Sequence, residues 1–263
     1  MRIWLAVICT LLLPGAMAAQ GASATAPRTL QDGVQGATAE FASLDRAREM
    51  GTLRITNTSD KDITAYTVAR TVTFQNGKTR WSETMKDFGP SSLGEGLHPG
   101  AVEEIEVSVK FPNIKATAKV TAVVYADLTS EWSDSEALSR IEDYRKSEVI
   151  MEGIWVEAIK AGLAESADDH PGAKAASIIR RRIPTDRASL DALARGEKLS
   201  PFARGAAGLC EPCMEDYAKR LEQEPKEAVR AGRSERDYLG DRLEYAEKQY
   251  QAEQRCAQIR RQP

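Results

Sequence analysis

Alternation of apolar and polar side chains with a period of two residues dominates the first half of this chain. From Val102 to Phe111, for example, Ile105 and Val107 fall on one face while glutamates fall between them. A β-strand places successive side chains on opposite faces of a sheet, so this pattern predicts half-buried strands. The other stretches of this character are Leu53–Asn57, Ile63–Phe74, Lys78–Thr84 and Thr117–Asp127. In the last, the even positions are all apolar, which predicts one buried and one mostly hydrated face.

Turn signals separate these strands. Asn76-Gly77 favours a tight hairpin, and Pro99-Gly100 breaks the alternation between two strands. Asn57-Thr58-Ser59 is a natural strand-ending turn, and the same residues match an N-glycosylation acceptor. Strands joined by short turns pair antiparallel, and about six of them suit two sheets packed face to face. The sequence therefore predicts a β-sandwich over residues 40–132.

Four local patterns in this region resemble small bacterial envelope domains. They are Leu53-Arg54-Ile55-Thr56-Asn57-Thr58-Ser59, Ile63-Thr64-Ala65-Tyr66, the Asn76-Gly77 turn, and Leu97-His98-Pro99-Gly100 before a strand. Residues 52–108 resemble the immunoglobulin-like domains of bacterial envelope and secreted proteins, FxLYD-type modules among them. The resemblance implies an immunoglobulin-like β-sandwich with a binding or assembly role and no reaction.

Helical periodicity replaces the alternation from Ser133 onward. The capping box Ser133-x-x-Glu136 predicts a helix start, and the helix is expected to end near Ala164. Its apolar stripe is Ile141, Tyr144, Met151, Trp155, Ala158 and Gly162, with Glu148 as the one polar interruption. Further helices are predicted up to Arg182, over Asp186–Arg195, from Ser200-Pro201, over Glu211–Arg230 and over Glu235–Ile259, the last behind the capping box Ser234-x-x-Asp237. Residues 133–263 thus form an α-helical region, a bundle or a hairpin, and the fold class is α+β.

The N-terminus indicates export. Residues 1–18 combine Arg2, an apolar run from Ile3 to Leu13 and the small-residue site Ala16-Met17-Ala18, which is typical of a cleaved signal peptide. The following segment, 19–39, is rich in small and polar residues and is expected to be a flexible lead. We therefore expect a periplasmic or extracellular protein.

Charge and motif content restrict the function. The net charge of −3 disfavours nucleic acid and anionic membrane surfaces as partners, and no later apolar run is long enough to span a bilayer. His98 and His170 are the chain's two histidines and lie in different predicted regions, and Asp168-Asp169-His170 is explained by helix capping. No serine has a hydrolase setting. The sequence predicts no cofactor, no metal site and no catalytic residue.

Three cysteines remain after signal removal: Cys210, Cys213 and Cys256. A CxxC pair at a helix start lowers thiol pKa, and this arrangement is typical of thiol-disulfide oxidoreductases, which place it after a strand. No strand is predicted before Cys210. Folding of the last two helices back near Gly232 would bring Cys256 beside the pair, so a structural disulfide from Cys210 or Cys213 to Cys256 is the favoured interpretation.

These observations predict a secreted or periplasmic, non-catalytic binding or assembly protein with a protein partner of unknown identity. One alternative is a thiol-disulfide redox protein that uses Cys210 and Cys213. The other is a structural envelope component that forms a homo-oligomer through its C-terminal helices.

Overall fold

A computed structural model of the chain describes residues 33–45, 47–89, 96–109, 113–165, 170–181 and 211–261. Within these ranges the fold is mixed α+β, with eight strands in two sheets and four helices. The strands are β1 (Ala37–Asp45), β2 (Met50–Asn57), β3 (Ile63–Phe74), β4 (Thr79–Asp87), β5 (Val102–Ser108), β6 (Asn113–Tyr125), β7 (Thr129–Trp132) and β8 (Arg260–Arg261). The helices are α1 (Ser135–Glu165), α2 (171–181), α3 (Glu211–Arg230) and α4 (Glu235–Cys256). All of the described residues belong to one compact unit.

The two sheets share one apolar core. The smaller sheet has the order β1-β2-β5 and the larger has the order β4-β3-β6-β7-β8, with antiparallel pairing except between β7 and β8. Leu53 and Ile55 from the smaller sheet pack with Tyr66 and Val68 from the larger one, all fully buried. The prediction of two sheets that pack face to face over an apolar core is confirmed.

A β-bulge in β6 gives that strand two buried faces. Thr67 pairs with Ala122 but Val68 pairs with Val120, so Thr121 is an extra residue in the ladder. Because the bulge reverses the side-chain alternation, Val120 and Val123 both face the core between the sheets. The prediction that one face of this stretch is mostly hydrated is wrong, since Ala122 and other residues of the outer face are covered by α1.

Helix α1 begins against the outer face of the larger sheet. Leu138 and Ile141 are fully buried there against Ala65 and Val124. The predicted Ser133 capping box is wrong: Asp134 Oδ1 accepts the Glu136 N–H at 2.9 Å, whereas Ser133 Oγ is buried with no partner among the described residues. An aspartate one residue later performs the same task of satisfying a free N–H group.

The second core lies among the helices. Met151, Trp155 and Ala158 of the predicted α1 stripe are buried in it with residues from α2, α3 and α4. Gly162 allows α2 to approach closely, because a Cβ there would lie 2.7 Å from the Pro171 carbonyl oxygen. The predicted helices over 186–195 and from Ser200 lie outside the described residues, as does the signal peptide.

The helix predictions over Glu211–Arg230 and at Ser234 are confirmed. Helix α3 continues through Pro225, and Ser234 Oγ accepts the Asp237 N–H at 3.0 Å. Gly232 has a φ of +84° in the turn that reverses the chain between α3 and α4. Among the described helices, none is both long and apolar enough to cross a membrane.

Two predicted boundaries are wrong. Residues 37–39, assigned to the flexible lead, belong to β1, which pairs with β2. The last helix stops at Cys256 rather than Ile259, because the chain turns there and β8 joins the sheet parallel to β7. The Arg260 N–H donates to the Leu128 carbonyl at 2.8 Å, so the C-terminal helical region returns to the β-region that it follows in sequence.

Asn57 is interpreted from the sequence both as part of a strand-ending turn and as an N-glycosylation acceptor, and the structure favours the turn. Its side chain is fully buried, and Nδ2 donates to the Lys61 and Leu97 carbonyls at 2.8 and 2.6 Å. Its Oδ1 accepts the Ser59 N–H at 2.9 Å. The residue therefore closes the turn, and its amide nitrogen has no room for a glycan in the folded protein.

Candidate functional site

A cavity of about 230 Å³ lies where strand β4 meets helices α1 and α4. Its wall is rich in acidic and aromatic side chains. The lining residues are Asp87, Gly89, Tyr144, Arg145, Glu148, Glu152, Tyr245, Gln249, Glu253 and Cys256. Three elements that are distant in sequence therefore build one acidic pocket.

A buried ion pair fixes one end of this pocket. Arg145 on α1 donates from Nε to Asp87 Oδ2 at 2.7 Å, and the side chains of both residues are 2% exposed. The same guanidinium donates from Nη1 to the Cys256 carbonyl at 3.0 Å and from Nη2 to Thr64 Oγ1 at 3.0 Å. Asp87 also accepts the Gly89 N–H at 2.9 Å. Because these groups satisfy one another, they form a rigid end wall rather than a free binding group.

Three further carboxyl groups line the cavity beyond this pair. Glu148 and Glu152 lie one helical turn apart on α1, and Glu253 lies on α4. The pKa of Glu148 is raised to about 7 and that of Glu253 to about 8, chiefly by burial and in part by the neighbouring carboxylates. Burial also raises the pKa of Glu152, against the opposing effect of Arg242. In this poorly solvated wall, Glu148 and Glu253 hold protons near neutral pH.

Glu253 is the least compensated of the three. It is only 7% exposed, and among the described residues no side chain donates a hydrogen bond to its carboxyl group or forms an ion pair with it. Arg145 lowers the pKa of Glu253, but its donors are directed at Asp87, Thr64 and Cys256. The Glu253 residue is largely buried, but its carboxyl oxygens open onto the cavity, where a cation or a donor can reach them.

Aromatic and neutral groups complete the wall. Burial raises the pKa of Tyr144, as does the nearby Glu148 carboxyl, to which the tyrosine hydroxyl donates; this donation lowers the pKa of Glu148. Tyr245 is 55% exposed at the side of the pocket that faces solvent, and Gln249 lies one turn farther along α4. An exposed tyrosine ring beside buried carboxylates is a favourable surface for an organic cation.

The predicted cysteine site lies mostly outside the described residues. Cys210 is among the residues not described, and Cys213 lies in the first turn of α3 with its side chain also outside the description. Cys256 is a buried free thiol at the pocket wall, and burial raises its pKa. The disulfide from Cys210 or Cys213 to Cys256, and the redox alternative, remain predictions.

Neither histidine lines this pocket. His98 Nδ1 lies 2.9 Å from Asp62 in a loop, and His170 Nδ1 lies 3.2 Å from Glu235 at the start of α4. Within the described ranges, no three histidine, cysteine, aspartate or glutamate side chains are grouped so that they could hold a metal ion.

Sequence reasoning did not find this pocket, although one signal pointed to it. Glu148 interrupts an otherwise apolar helix stripe, and a charged residue on a buried helix face needs a partner or a function. Arg145, Asp87 and Glu253 carried no comparable signal, because charged residues are common on helices and at strand ends.

Comparison with protein-family models, with curated proteins and with solved structures gives no match for this chain.

Proposed function

We propose that this chain is an exported, non-catalytic binding protein that takes a small organic cation into the acidic pocket between β4, α1 and α4. The observation that carries the proposal is Glu253, a buried carboxyl that lines the cavity without a partner among the described residues. An ammonium or guanidinium group would supply the missing hydrogen bonds and the compensating charge. Binding of this kind needs no reaction, which agrees with the lack of a catalytic motif in the sequence.

We further propose that the two-sheet region is an immunoglobulin-like module. In such modules the first, second and fifth strands share one sheet and the third, sixth and seventh share the other, and variable-type modules add a strand after the third to the latter sheet. The orders β1-β2-β5 and β4-β3-β6-β7 support this assignment. The module then acts as a frame that presents the end of β4 to the helices.

Calorimetric titration and thermal unfolding of the purified protein test the proposed function. The probe is 1-aminobutane, with 1-butanol as the uncharged control and butyrate as the anionic control. We expect saturable binding and a raised melting temperature with the amine alone. Affinity should rise between pH 6 and pH 8, because the carboxyl groups of Glu148 and Glu253 lose their protons over that range while the amine keeps its charge.

A pair of matched variants locates the binding. Glu253→Gln keeps the shape of the side chain and removes its charge, so it should weaken amine binding strongly. Glu244→Gln on the same helix removes an exposed carboxylate that pairs with Lys248, and it should leave binding unchanged. Equal responses of the two variants, or no binding of any amine at millimolar concentration, would refute the proposal.

A further inference from the structure

Most residues that line the pocket lie on α1 and α4, which pack against each other. The two helices run antiparallel, since Arg145 contacts Cys256 at one level and Gly153 lies against Tyr250 at another. This register puts Glu253 level with Glu148 and Gln249 level with Glu152. One helical turn, about 6 Å of rise, separates the two levels.

Negative charge is distributed over both levels. The carboxyls of Glu148 and Glu253 occupy one level, and their mutual repulsion contributes to the raised pKa of Glu253. Glu152 occupies the other level, where Arg242 is its nearest compensating cation. Arg242 is shared, because its Nη2 lies 3.6 Å from Glu224 Oε2.

Once Glu148 and Glu253 lose their protons, the charge of the wall exceeds what a single ammonium group can balance. Arg145 is paired with Asp87 and acts on Glu253 only at a distance, and Arg242, which also pairs with Glu224, lies near Glu152. A monocation bound at Glu253 would leave a second carboxylate buried without full compensation, which is costly in a poorly solvated cavity. A ligand with two positive charges about one helical turn apart would satisfy both levels.

We infer that the ligand of this pocket is a linear organic dication, an aliphatic diamine or a longer polyamine, which lies along the groove between α1 and α4. One ammonium group sits between Glu148 and Glu253, and the other sits at Glu152 beside the side-chain carbonyl of Gln249. Tyr245 lies one turn beyond the level of Gln249 on α4, where Arg242 Cζ is 5.9 Å from the centroid of its ring. This inference rests on the proposed function, because it specifies the ligand of the same site.

Chain-matched amines test the inference directly. The purified protein is titrated at pH 8 with 1,3-diaminopropane, 1,4-diaminobutane, 1,5-diaminopentane and 1,6-diaminohexane, and with the monoamine of the same carbon number in each case. We expect the best diamine to bind about tenfold or more tightly than its monoamine, the increment of one additional charge-assisted hydrogen-bonded pair. The affinity should pass through a maximum with chain length.

Two variants test the two charged levels of the pocket one at a time. Glu152→Gln should reduce diamine affinity by a larger factor than monoamine affinity, so that the ratio of the two affinities falls towards one. Glu253→Gln should weaken both. Circular dichroism of each variant verifies folding, and Glu244→Gln is again the matched control.

Different binding results would refute the preference for a dication and the binding of amines as such. If monoamines bind as tightly as diamines, or if Mg²⁺ displaces a diamine at equal concentration, the dication inference is wrong while binding of cations stands. If neither amine binds, the proposed function itself is wrong. A diamine preference that Glu152→Gln abolishes supports both.

Discussion

Replacing Arg145 with methionine is the most informative perturbation of this fold, because this side chain joins a sheet to two helices. The substitution keeps most of the apolar volume and removes four hydrogen bonds: two to Asp87, one to Thr64 and one to the Cys256 carbonyl. It also leaves the Asp87 carboxylate buried without its cation. Breaking a buried pair in this way costs about 3–5 kcal/mol of unfolding free energy.

Urea unfolding monitored by circular dichroism measures this effect. The double variant Arg145→Met with Asp87→Leu removes both charges, and we expect it to lose about 2 kcal/mol or less, since the unpaired carboxylate is then absent. Arg54→Met, which breaks the exposed pair with Glu104, is the matched control and should cost about 0–1 kcal/mol.

Two results would contradict the structural role given to Arg145. One is an Arg145→Met variant that loses less than about 1 kcal/mol, which would mean that the guanidinium is not a structural link. The other is a double variant whose loss of unfolding free energy equals the sum of the losses of Arg145→Met and Asp87→Leu measured singly, since residues in direct contact must show coupling.

Three further predictions concern other parts of the fold. The folded-state pKa values of Glu148 and Glu253 lie above those of an unfolded chain, so the native state binds more protons. The free energy of unfolding should therefore fall as pH rises from about 5 to about 8. Glu253→Gln should flatten this slope, as measured by urea titrations at several pH values. Gly162→Ala should lower the melting temperature because its Cβ would lie 2.7 Å from a carbonyl oxygen, whereas Gly240→Ala in open space should raise stability by up to about 1 kcal/mol. Asn57→Ala should cost about 2–3 kcal/mol in urea unfolding, because two carbonyl oxygens lose their donor; a loss below about 0.5 kcal/mol would contradict the role given to this turn.

Much of the secondary structure could be predicted from local pattern. The strand Ile63–Phe74, the helix Glu211–Arg230 and the Ser234 cap follow the predicted positions, because alternation, periodicity and capping are properties of adjacent residues. The outer face of β6 could not be predicted in this way. A single bulge at Thr121 reverses which side chains face the core, and bulges arise from pairing with a partner strand.

The site was harder to predict than the fold. Glu148 was visible as a polar break in the α1 stripe, yet its meaning depends on Glu253, more than a hundred residues later. Asp87 lies beyond the predicted end of its strand, and its burial depends on Arg145. A contact between distant residues leaves no trace in local spacing when both are common surface types.

The sequence alone determined the order of strands followed by helices, the apolar faces that pack, and the turns that reverse the chain. These follow from short-range geometry, which the order of side chains fixes directly. Tertiary structure alone decided that the helices cover the sheet, that the C-terminal strand returns to β7, and that β4, α1 and α4 enclose an acidic pocket. The physical reason is burial: the same carboxyl is an ordinary hydrated charge on an isolated helix, and holds a proton near neutral pH only when distant elements exclude water around it.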